Sequence, residues 1–347
     1  MIWLTWRQFR VQFLVVTSVI VAAAIFLAVT GPGLADDYQR LTTAFIQNLG
    51  FQRLNPTLYV VGQVLLYAVP PVIGAFWGAP LISRELETGT HRLAWSQSIG
   101  RRRWLATKVG VTGLSAIAIT GLLSLAVTWW SDPIDDAINA GQESNTYLPR
   151  MFPPVFGARG LVPIGYAAFA FAFGVAIGLV VRRTLVALAV TLAVVILVQI
   201  LTPTFVRPHL MAPTDRSIIA TDDNIRGFML SGPGGHVKEI EVATGAVGAW
   251  KLSDDTVDKS GKTLSTLPDW VMKCAPVPPG VTEGPSNRQP ERAACFERLA
   301  DEGYRQHVRY FTADAFWSLQ WREFGLFMLL ALGLTGFSFW RIRRDLS

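Results

Sequence analysis

Six long uncharged segments dominate the pattern of apolar and polar positions along the chain. Each has about the 17–25 residues that an α-helix needs to cross a bilayer, and none contains Asp, Glu, Lys or Arg. The segments are residues 11–29, 58–82, 109–130, 161–181, 184–201 and 324–340. The pattern predicts an all-α membrane protein with six transmembrane helices, numbered as spans one to six. The first segment is too long for a signal peptide, whose apolar part has about 7–15 residues, so we expect span one to be retained.

The residues ahead of span one have an amphipathic pattern. On a helix, Trp3, Trp6 and Phe9 share one face, and Arg7 and Arg10 face away from it. This is typical of a helix that lies in the membrane interface, with Arg side chains reaching lipid phosphates. We therefore expect an amphipathic N-terminal interfacial helix in contact with membrane lipid. The alternative is a ragged start to a longer first span.

Span two carries Pro70 and Pro71 near its middle. Proline lacks a backbone N–H and its ring clashes with the preceding turn, so we expect a kink there. Within a membrane such a break is tolerated where protein or a water-filled cavity covers the freed carbonyl groups. Small residues four positions apart occur in spans two and four, and they predict close helix packing without identifying a dimer face. These pairs are Gly74 with Gly78, and Gly174 with Gly178.

Residues 202–323 differ from the rest of the chain, because charged residues, Gly, Pro and Ser are frequent and no segment could cross a membrane. Short β-like stretches at Val237–Val242 and 247–252 are broken by Gly-rich turns, and residues 292–311 have the spacing of a helix. At about 120 residues, the segment is large enough for a small core of its own. We expect a transmembrane domain at 1–205, a mixed α/β domain at 206–317, and the last span with its tail at 318–347.

The distribution of charge predicts the orientation, because cytoplasmic segments of membrane proteins carry an excess of Lys and Arg. With the N-terminus inside, the segments on that side hold 13 basic and three acidic residues, and everything on the other side sums to a net negative charge. We therefore expect a multi-pass protein of the plasma membrane with both termini in the cytoplasm and residues 206–317 outside. The net charge of +6 follows from this topology, so no nucleic-acid partner is expected.

Cys274 and Cys295 are the only cysteines, and both lie in the segment predicted to be external. An oxidising compartment favours a disulfide between them. Such a bridge would contribute roughly 3 kcal/mol in the chain-entropy model. The alternative is two free thiols or a metal-binding pair.

Other residues that could carry chemistry do not form a recognisable site. Gly261, Lys262 and Thr263 have the form of the end of a phosphate-binding loop without its beginning. The four histidines are scattered without metal-ligand spacing, and no nucleophile–base arrangement can be argued from the sequence. Because the six segments hold no ionisable residue, a proton relay within them is not expected. We expect no catalytic residue, no metal site and no cofactor bound by this chain.

The loop between spans two and three, residues 83–108, is long, charged and aromatic. Glu85 and Glu87 are predicted to open a short helix, where acidic side chains favour the helix dipole, and Gly89 and Thr90 to interrupt it. A loop of this kind suits contact with a cytoplasmic partner. The alternative is a basic loop that only anchors to lipid, which would leave the acidic residues without a purpose.

This loop, together with the N-terminal helix, the six-span layout and the insertion before the last span, resembles the permease subunits of ABC type-2 exporters. The residues that match the family's motif are Glu85, Glu87, Gly89, Thr90, Ser96, Arg101, Trp104 and Lys108. The chain departs from the family at Ile99 and Gly100, where a proline often stands, and in its longer external insertion.

The resemblance implies a non-enzymatic permease that works as a dimer, with an identical second permease expected. Two copies of a separate ATPase subunit would bind ATP and Mg. Residues 85–93 would form a coupling helix that enters a groove on this ATPase. The implied ATPase-coupling residues are Glu85, Glu87, Gly89, Thr90, Arg92 and Leu93.

The resulting hypothesis is the membrane-spanning subunit of an ATP-driven exporter. An uncharged helix interface favours an apolar or amphipathic substrate, such as a drug, an antibiotic, a peptide or a lipid-like molecule. Pro70, Pro71 and Phe76 of the second span are candidates for the wall of the pathway. Two alternatives remain: a sensor or immunity protein whose external domain binds a peptide or an antibiotic, and a membrane scaffold without transport.

Aromatic residues lead into the last span. Phe316, Trp317 and Trp321 are predicted to form a belt at the outer membrane interface, where such side chains are enriched. The alternative is an external gate or an exit surface for a lipid substrate.

Overall fold

The chain divides into two compact units. Met1–Met211 and Asp314–Ser347 form the helical unit, and Ala212–Ala313 form the sheet unit. A computed structural model of the protein describes residues 2–51, 54–90, 100–142, 144, 146–221, 223–230, 237–243, 245–264, 266–274 and 289–344.

The regular elements follow one another as long helices, then strands, then a last long helix. The helices are α1 (Ile2–Leu41), α2 (Phe45–Phe51), α3 (Leu54–Val72), α4 (Ala79–Glu87), α5 (Arg101–Asn139), α6 (Val162–Val181), α7 (Thr184–Leu201), α8 (Gln289–Asp301) and α9 (Phe316–Arg344). The strands are β1 (Thr214–Ile219), β2 (Ile225–Leu230), β3 (Val237–Val242), β4 (Trp250–Val257) and β5 (Arg305–Phe311). Shorter helical segments are Thr42–Ala44, Ile73–Gly78, Pro153–Phe156, Thr202–Val206, Arg207–His209, Asp269–Cys274 and Ala313–Ala315.

Six helical segments within the described residues are long and apolar enough to cross a membrane, which agrees with the six predicted spans. They are Phe13–Leu49, Asn55–Glu87, Arg101–Asn139, Val162–Val181, Thr184–His209 and Ala313–Arg344. Most of them extend beyond the uncharged segments of the sequence, because the helices continue through polar residues at their ends. Helix α1 runs without a break from Ile2, so the structure sets no boundary between the predicted interfacial helix and span one.

Helix α6, the fourth span, lies at the centre of the helical unit. It is the most buried of the six spans and packs against α3, α4, α5, α7 and α9. Its sequence explains this position, since Ala or Gly occupies almost every second place from Gly165 to Gly178. Small side chains let neighbouring helices approach from several sides at once.

The paired glycines meet where span two contacts span four. A Cβ atom on Gly74 would lie 2.7 Å from the carbonyl oxygen of Ala170, and one on Gly178 would lie 2.6 Å from that of Ala79. The other two glycines of the pairs lie between these contacts and are equally close to the opposite backbone. The prediction of close helix packing is confirmed, and the contact lies within a single chain.

The interruption expected at Pro70 and Pro71 takes the form of a π-helical segment, Ile73–Gly78, directly after the two prolines. Pro71 has no N–H to offer the carbonyl oxygen of Tyr67, four residues earlier. Gln199 of α7 takes its place, because its Nε2 donates to Tyr67 O over 3.2 Å. A side chain of span five thus covers a carbonyl group that proline frees, as the interior of a membrane requires.

In its described residues, the sheet unit has two antiparallel sheets with strand orders β1-β5-β4 and β2-β3. Strand β5 is central, and its Val308 pairs with Arg216 on β1 and Asp254 on β4. Val308 packs in one core with Leu299 of α8 and Val271 of the Asp269–Cys274 segment. A disulfide between Cys274 and Cys295 joins that segment to α8.

The helix predicted over residues 292–311 is wrong in its second half. Helix α8 ends at Asp301, and Gly303 follows with a φ of +81°, a left-handed conformation that suits glycine after a helix. The chain then forms β5, in which alternate residues are buried. The buried residues of this alternation are Gln306, Val308 and Tyr310. The apolar spacing that predicted one helix therefore comes from two elements, a helix followed by a strand.

The two strands predicted earlier in this region differ in outcome. The stretch Val237–Val242 is strand β3, as predicted. The strand predicted at 247–252 is shifted, since β4 begins at Trp250 and runs to Val257. Gly245 and Gly248 have φ values of +67° and +68°, and so form a turn ahead of the strand.

Replacing Gly178 by alanine should lower the stability of the helical unit by about 1–3 kcal/mol, because the added methyl group would have to displace the backbone of span two. Thermal unfolding of the full-length protein in detergent measures this. Gly333→Ala in α9 is the matched control, since a Cβ atom there meets nothing within 4 Å. We expect the control to be unchanged or slightly more stable. Equal melting temperatures for the two variants would contradict the packing argument.

Candidate coupling site

Span two ends in α4, whose last turn carries Glu85 and Glu87. The helix ends because Thr88 donates to Arg84 O from its N–H and from its hydroxyl, over 3.1 and 2.9 Å, and Gly89 then turns the chain with a φ of +72°. The prediction that the two acidic residues open a helix is wrong, because they close one. At a helix C-terminus their charge opposes the dipole, so it has to be offset by other groups.

The carboxylate of Glu87 lies at the start of span five. Its Oε2 accepts the backbone N–H of Thr184 over 2.9 Å, in the first turn of α7. Backbone N–H groups at a helix start have no partner within the helix, and an anion there is favoured by the dipole. Ser83 adds a second contact, because its hydroxyl donates to the Thr184 hydroxyl over 3.2 Å. The end of span two therefore caps span five.

The carboxylate of Glu85 forms an ion pair with Lys108 in the second turn of α5. The Lys108 ammonium also lies 5.2 Å from the centre of the Trp104 ring, and both side chains are buried. An ion pair shielded from water in this way is stronger than one at the surface. The fold thus brings together three residues of the family motif. Trp104 and Lys108 stand 19 and 23 positions after Glu85 in the sequence.

The other residues predicted to couple to an ATPase lie beyond this base. Gly89 and Thr90 form the turn after α4, where the hydroxyl groups of Thr88 and Thr90 are 3.1 Å apart. Arg92 and Leu93 fall in 91–99, outside the described residues, and so does Ser96. Arg101 begins helix α5, where the chain enters span three.

Buried charged side chains are a feature that the sequence reasoning missed. The folded spans extend past the uncharged segments and include Lys108, Asp135, Arg207 and Glu323, all of them buried. The expectation that the spans hold no ionisable residue is therefore wrong. The available signal was position, since each of the four lies within two helical turns of the end of an uncharged segment.

Arg207 and Glu323 form a fully buried ion pair between the end of span five and the start of span six. Arg207 Nε donates to Oε2 over 2.7 Å and Nη2 donates to Oε1 over 3.1 Å. The hydroxyl of Tyr166 in α6 donates to the same Oε1 over 3.1 Å. The guanidinium also donates to Pro153 O over 3.0 Å and lies 4.3 Å from the centre of the Phe156 ring. A bidentate ion pair with additional hydrogen bonds, here from Tyr166 and to Pro153 O, is what a buried charge pair requires.

Gln320, one turn before Glu323 on α9, holds the start of span four. Its Oε1 accepts the N–H groups of Leu161 and Val162 over 2.9 and 3.0 Å, and its Nε2 donates to Phe156 O over 3.0 Å. The first N–H groups of a helix have no partner within it. The sixth span therefore supplies the cap of the fourth.

A second buried cluster joins α3, α5 and the segment between spans three and four. Its members, Asp135, Arg159, Tyr59 and Tyr147, are each at most 4% exposed. Arg159 Nε lies 3.8 Å from Asp135 Oδ2, beyond hydrogen-bond distance, and the guanidinium lies 5.2 Å from the centre of the Tyr59 ring. Four polar atoms of the cluster have no hydrogen-bond partner in the described part of the protein: Asp135 Oδ1, Arg159 Nε, Arg159 Nη2 and Tyr147 Oη. Since each such atom costs about 1–3 kcal/mol, four in one place call for an explanation.

The candidate pathway residues face different surroundings. Pro70 and Pro71 are buried among the spans, whereas the side chain of Phe76 is 48% exposed on the π-helical segment. Val72, one turn earlier, is exposed on the same side. The assignment of these residues to a substrate pathway stays a prediction.

The aromatic residues ahead of the last span also differ in their exposure. Trp317 and Trp321 are exposed, as a belt at an interface requires. Phe316 is buried instead, with its ring 5.3 Å from that of Phe156.

The model of the family described as ABC-2 membrane transporter related matches residues 17–207, which is more than half of the chain. The chain belongs to this family, and the resemblance seen in the loop between spans two and three is confirmed. Comparisons with curated proteins and with solved structures gave no match.

Replacing Arg207 by methionine should destabilise the protein by about 3–5 kcal/mol, because the Glu323 carboxylate would stay buried without a cation. The double variant Arg207→Met, Glu323→Leu should recover part of this loss, since it leaves no uncompensated charge. Chemical or thermal unfolding of the purified full-length protein measures both. Arg343→Met, at the far end of α9, controls for the loss of an arginine alone. A double variant less stable than the single one would contradict the account.

Proposed function

We propose that this chain is the membrane-spanning permease subunit of an ATP-driven exporter and that it works with a separate ATPase subunit. Membership of the ABC-2 membrane transporter related family supports a membrane transport component that is not itself an enzyme. The observation that carries the proposal further is the base of the loop between spans two and three. Glu85 and Glu87 tie this base to spans three and five at the same time.

In this proposal the loop transmits motion. Closure of two ATPase subunits on ATP and Mg would displace the segment after Thr90, on the cytoplasmic side. Because Glu87 contacts Thr184 and Glu85 contacts Lys108, a displacement of α4 also acts on the first turn of α7 and on the second turn of α5. Helices α4 and α6 are in close backbone contact at Gly178, so a movement of α4 would also displace α6.

The proposed substrate is apolar or amphipathic, such as a drug, an antibiotic, a peptide or a lipid-like molecule. Although the folded spans include Lys108, Asp135, Arg207 and Glu323, these four side chains are buried inside the helical unit. The exposed side of span two carries apolar side chains, among them Val64, Val72 and Phe76. If a second, identical permease faces this side, the wall between the two copies offers a substrate no ion pair.

A second candidate follows from the sheet unit, which has its own core and a disulfide. It is a sensor or immunity protein, in which residues 206–317 lie outside the cell and bind a peptide or an antibiotic. Binding of such a molecule to the full-length protein without any ATP-dependent efflux would favour this candidate over the exporter.

The exporter proposal is tested at Glu87. Glu87→Lys would place a cation at the start of α7, where the helix dipole disfavours it, and should separate α4 from span five. We expect the ATPase subunit that co-purifies with the wild-type protein to be lost, or its ATPase rate in nanodiscs to lose its dependence on the permease. Glu297→Lys, an exposed charge reversal on α8, is the matched control and should behave as wild type.

Two results would contradict the proposal. If no ATPase subunit co-purifies with the wild-type protein, the chain is not a permease of this kind. If Glu87→Lys keeps wild-type co-purification, ATPase rate and efflux, the base of the loop does not couple the two subunits.

A further inference from the structure

We propose that the buried cluster of Asp135, Arg159, Tyr59 and Tyr147 is a binding site for a small neutral group that both donates and accepts hydrogen bonds. Ordered water has this chemistry, and so has the amide or hydroxyl group of a solute that takes the place of water. The proposal does not depend on the exporter function.

The free hydrogen-bonding atoms define the chemistry of the guest. Arg159 Nε and Nη2 can only donate, and Asp135 Oδ1 can only accept. Tyr147 Oη can do either. A guest that satisfies all of them must accept from the guanidinium and donate to the carboxylate. Water, an amide and a hydroxyl group meet both conditions.

The surrounding charges exclude an ionic guest. Besides Arg159, a second cation, Arg150, lies close enough to interact electrostatically with Asp135, and so do the carboxylates of Asp132 and Asp136. An anion that bound Arg159 would face three carboxylates, and a cation that bound Asp135 would face two guanidinium groups. Both would also lose their hydration in a buried place. A neutral donor–acceptor group avoids both costs.

The Arg207–Glu323 pair shows that a buried charge pair in this unit can have all its carboxylate oxygens bonded. In that pair the two side chains approach to 2.7 Å, and both carboxylate oxygens are bonded. In the Asp135 cluster Arg159 Nε lies 3.8 Å from Asp135 Oδ2, and Asp135 Oδ1, Arg159 Nε and Arg159 Nη2 have no hydrogen-bond partner among the described residues. The two Arg–carboxylate pairs thus differ, because only the Asp135–Arg159 pair has polar atoms left to bond a bound molecule.

Tyr59 holds the site closed. Its hydroxyl donates to Leu148 O over 3.0 Å, next to Tyr147, whose ring packs edge-on against that of Tyr59 at 5.2 Å. Gln142 secures the same segment, since its Nε2 donates to Thr42 O over 2.6 Å. A guest would therefore be retained inside the helical unit and exchange slowly with the bulk.

Radiolytic hydroxyl-radical footprinting of the full-length protein in lipid nanodiscs tests the proposal. Radicals formed from water held beside an aromatic ring oxidise that ring even when it is buried. We expect Tyr59 and Tyr147 to be oxidised several-fold faster than Tyr166, which is as deeply buried but whose hydroxyl is bonded to Glu323. Tyr38, which is partly exposed, normalises the radical dose.

Variants separate a specific site from general water penetration. In Asp135→Leu, Arg159→Met the guest loses both charged partners and keeps only the Tyr147 hydroxyl, so oxidation of Tyr147 should fall to the level of Tyr166. Asp135→Asn keeps an acceptor oxygen and should retain the oxidation. If the double variant fails to fold, the comparison of Tyr147 with Tyr166 in the wild type still decides. Equal protection of Tyr59, Tyr147 and Tyr166 in the wild type would overturn the proposal, and so would unchanged oxidation in a folded double variant.

Acetamide distinguishes the two sources of the group. If its addition lowers the oxidation of Tyr147 relative to Tyr38, the amide of a solute can replace the water. If the ratio stays constant while Tyr147 remains more reactive than Tyr166, the site holds water alone. Both results support the binding site, and they differ in its occupant.

Discussion

The hydrocarbon interior of a bilayer supplies no hydrogen bonds, and the helical unit depends on meeting that constraint from within. In each case the polar group that meets the need comes from another span. Gln199 of span five covers the carbonyl group that Pro71 frees in span two. Gln320 of span six caps span four, and Glu323 of the same helix neutralises Arg207 of span five. These contacts fix which spans are neighbours, whereas lipid-facing leucine and valine side chains would allow many arrangements.

The tight contact between spans two and four lets the polar contacts at the end of span two have a wider effect. Glycine pairs bring the two backbones so close that neither helix can slide without moving the other. The acidic residues at the end of α4 then join spans three and five to the same group. A loop fixed to a rigid group of helices can transmit force, and a loop on a single loose helix cannot. This mechanical property fits membership of a transporter family.

The sequence allowed the spans, the glycine contacts and strand β3 to be predicted, because each depends on a local pattern. The role of Glu85 and Glu87 at a helix C-terminus could not be predicted, since their partners Lys108 and Thr184 stand far along the chain. The same holds for Arg207 and Glu323, which are separated by the whole sheet unit. The helix assigned over 292–311 failed for another reason: Gly303 divides two short elements whose apolar residues share a spacing by chance.

The cap that Gln320 provides has a consequence for the order of assembly. During synthesis the fourth span enters the membrane long before the sixth, with the whole sheet unit still to be made between them. Until α9 arrives, the N–H groups of Leu161 and Val162 have no Gln320 to bond, and Arg207 has no carboxylate. The central helix therefore cannot reach its final state while the ribosome is still building the rest of the chain. The last helix thus supplies polar partners that spans four and five need. Quality-control factors that bind unsatisfied polar groups in the membrane would therefore recognise the chain as incompletely folded until synthesis ends.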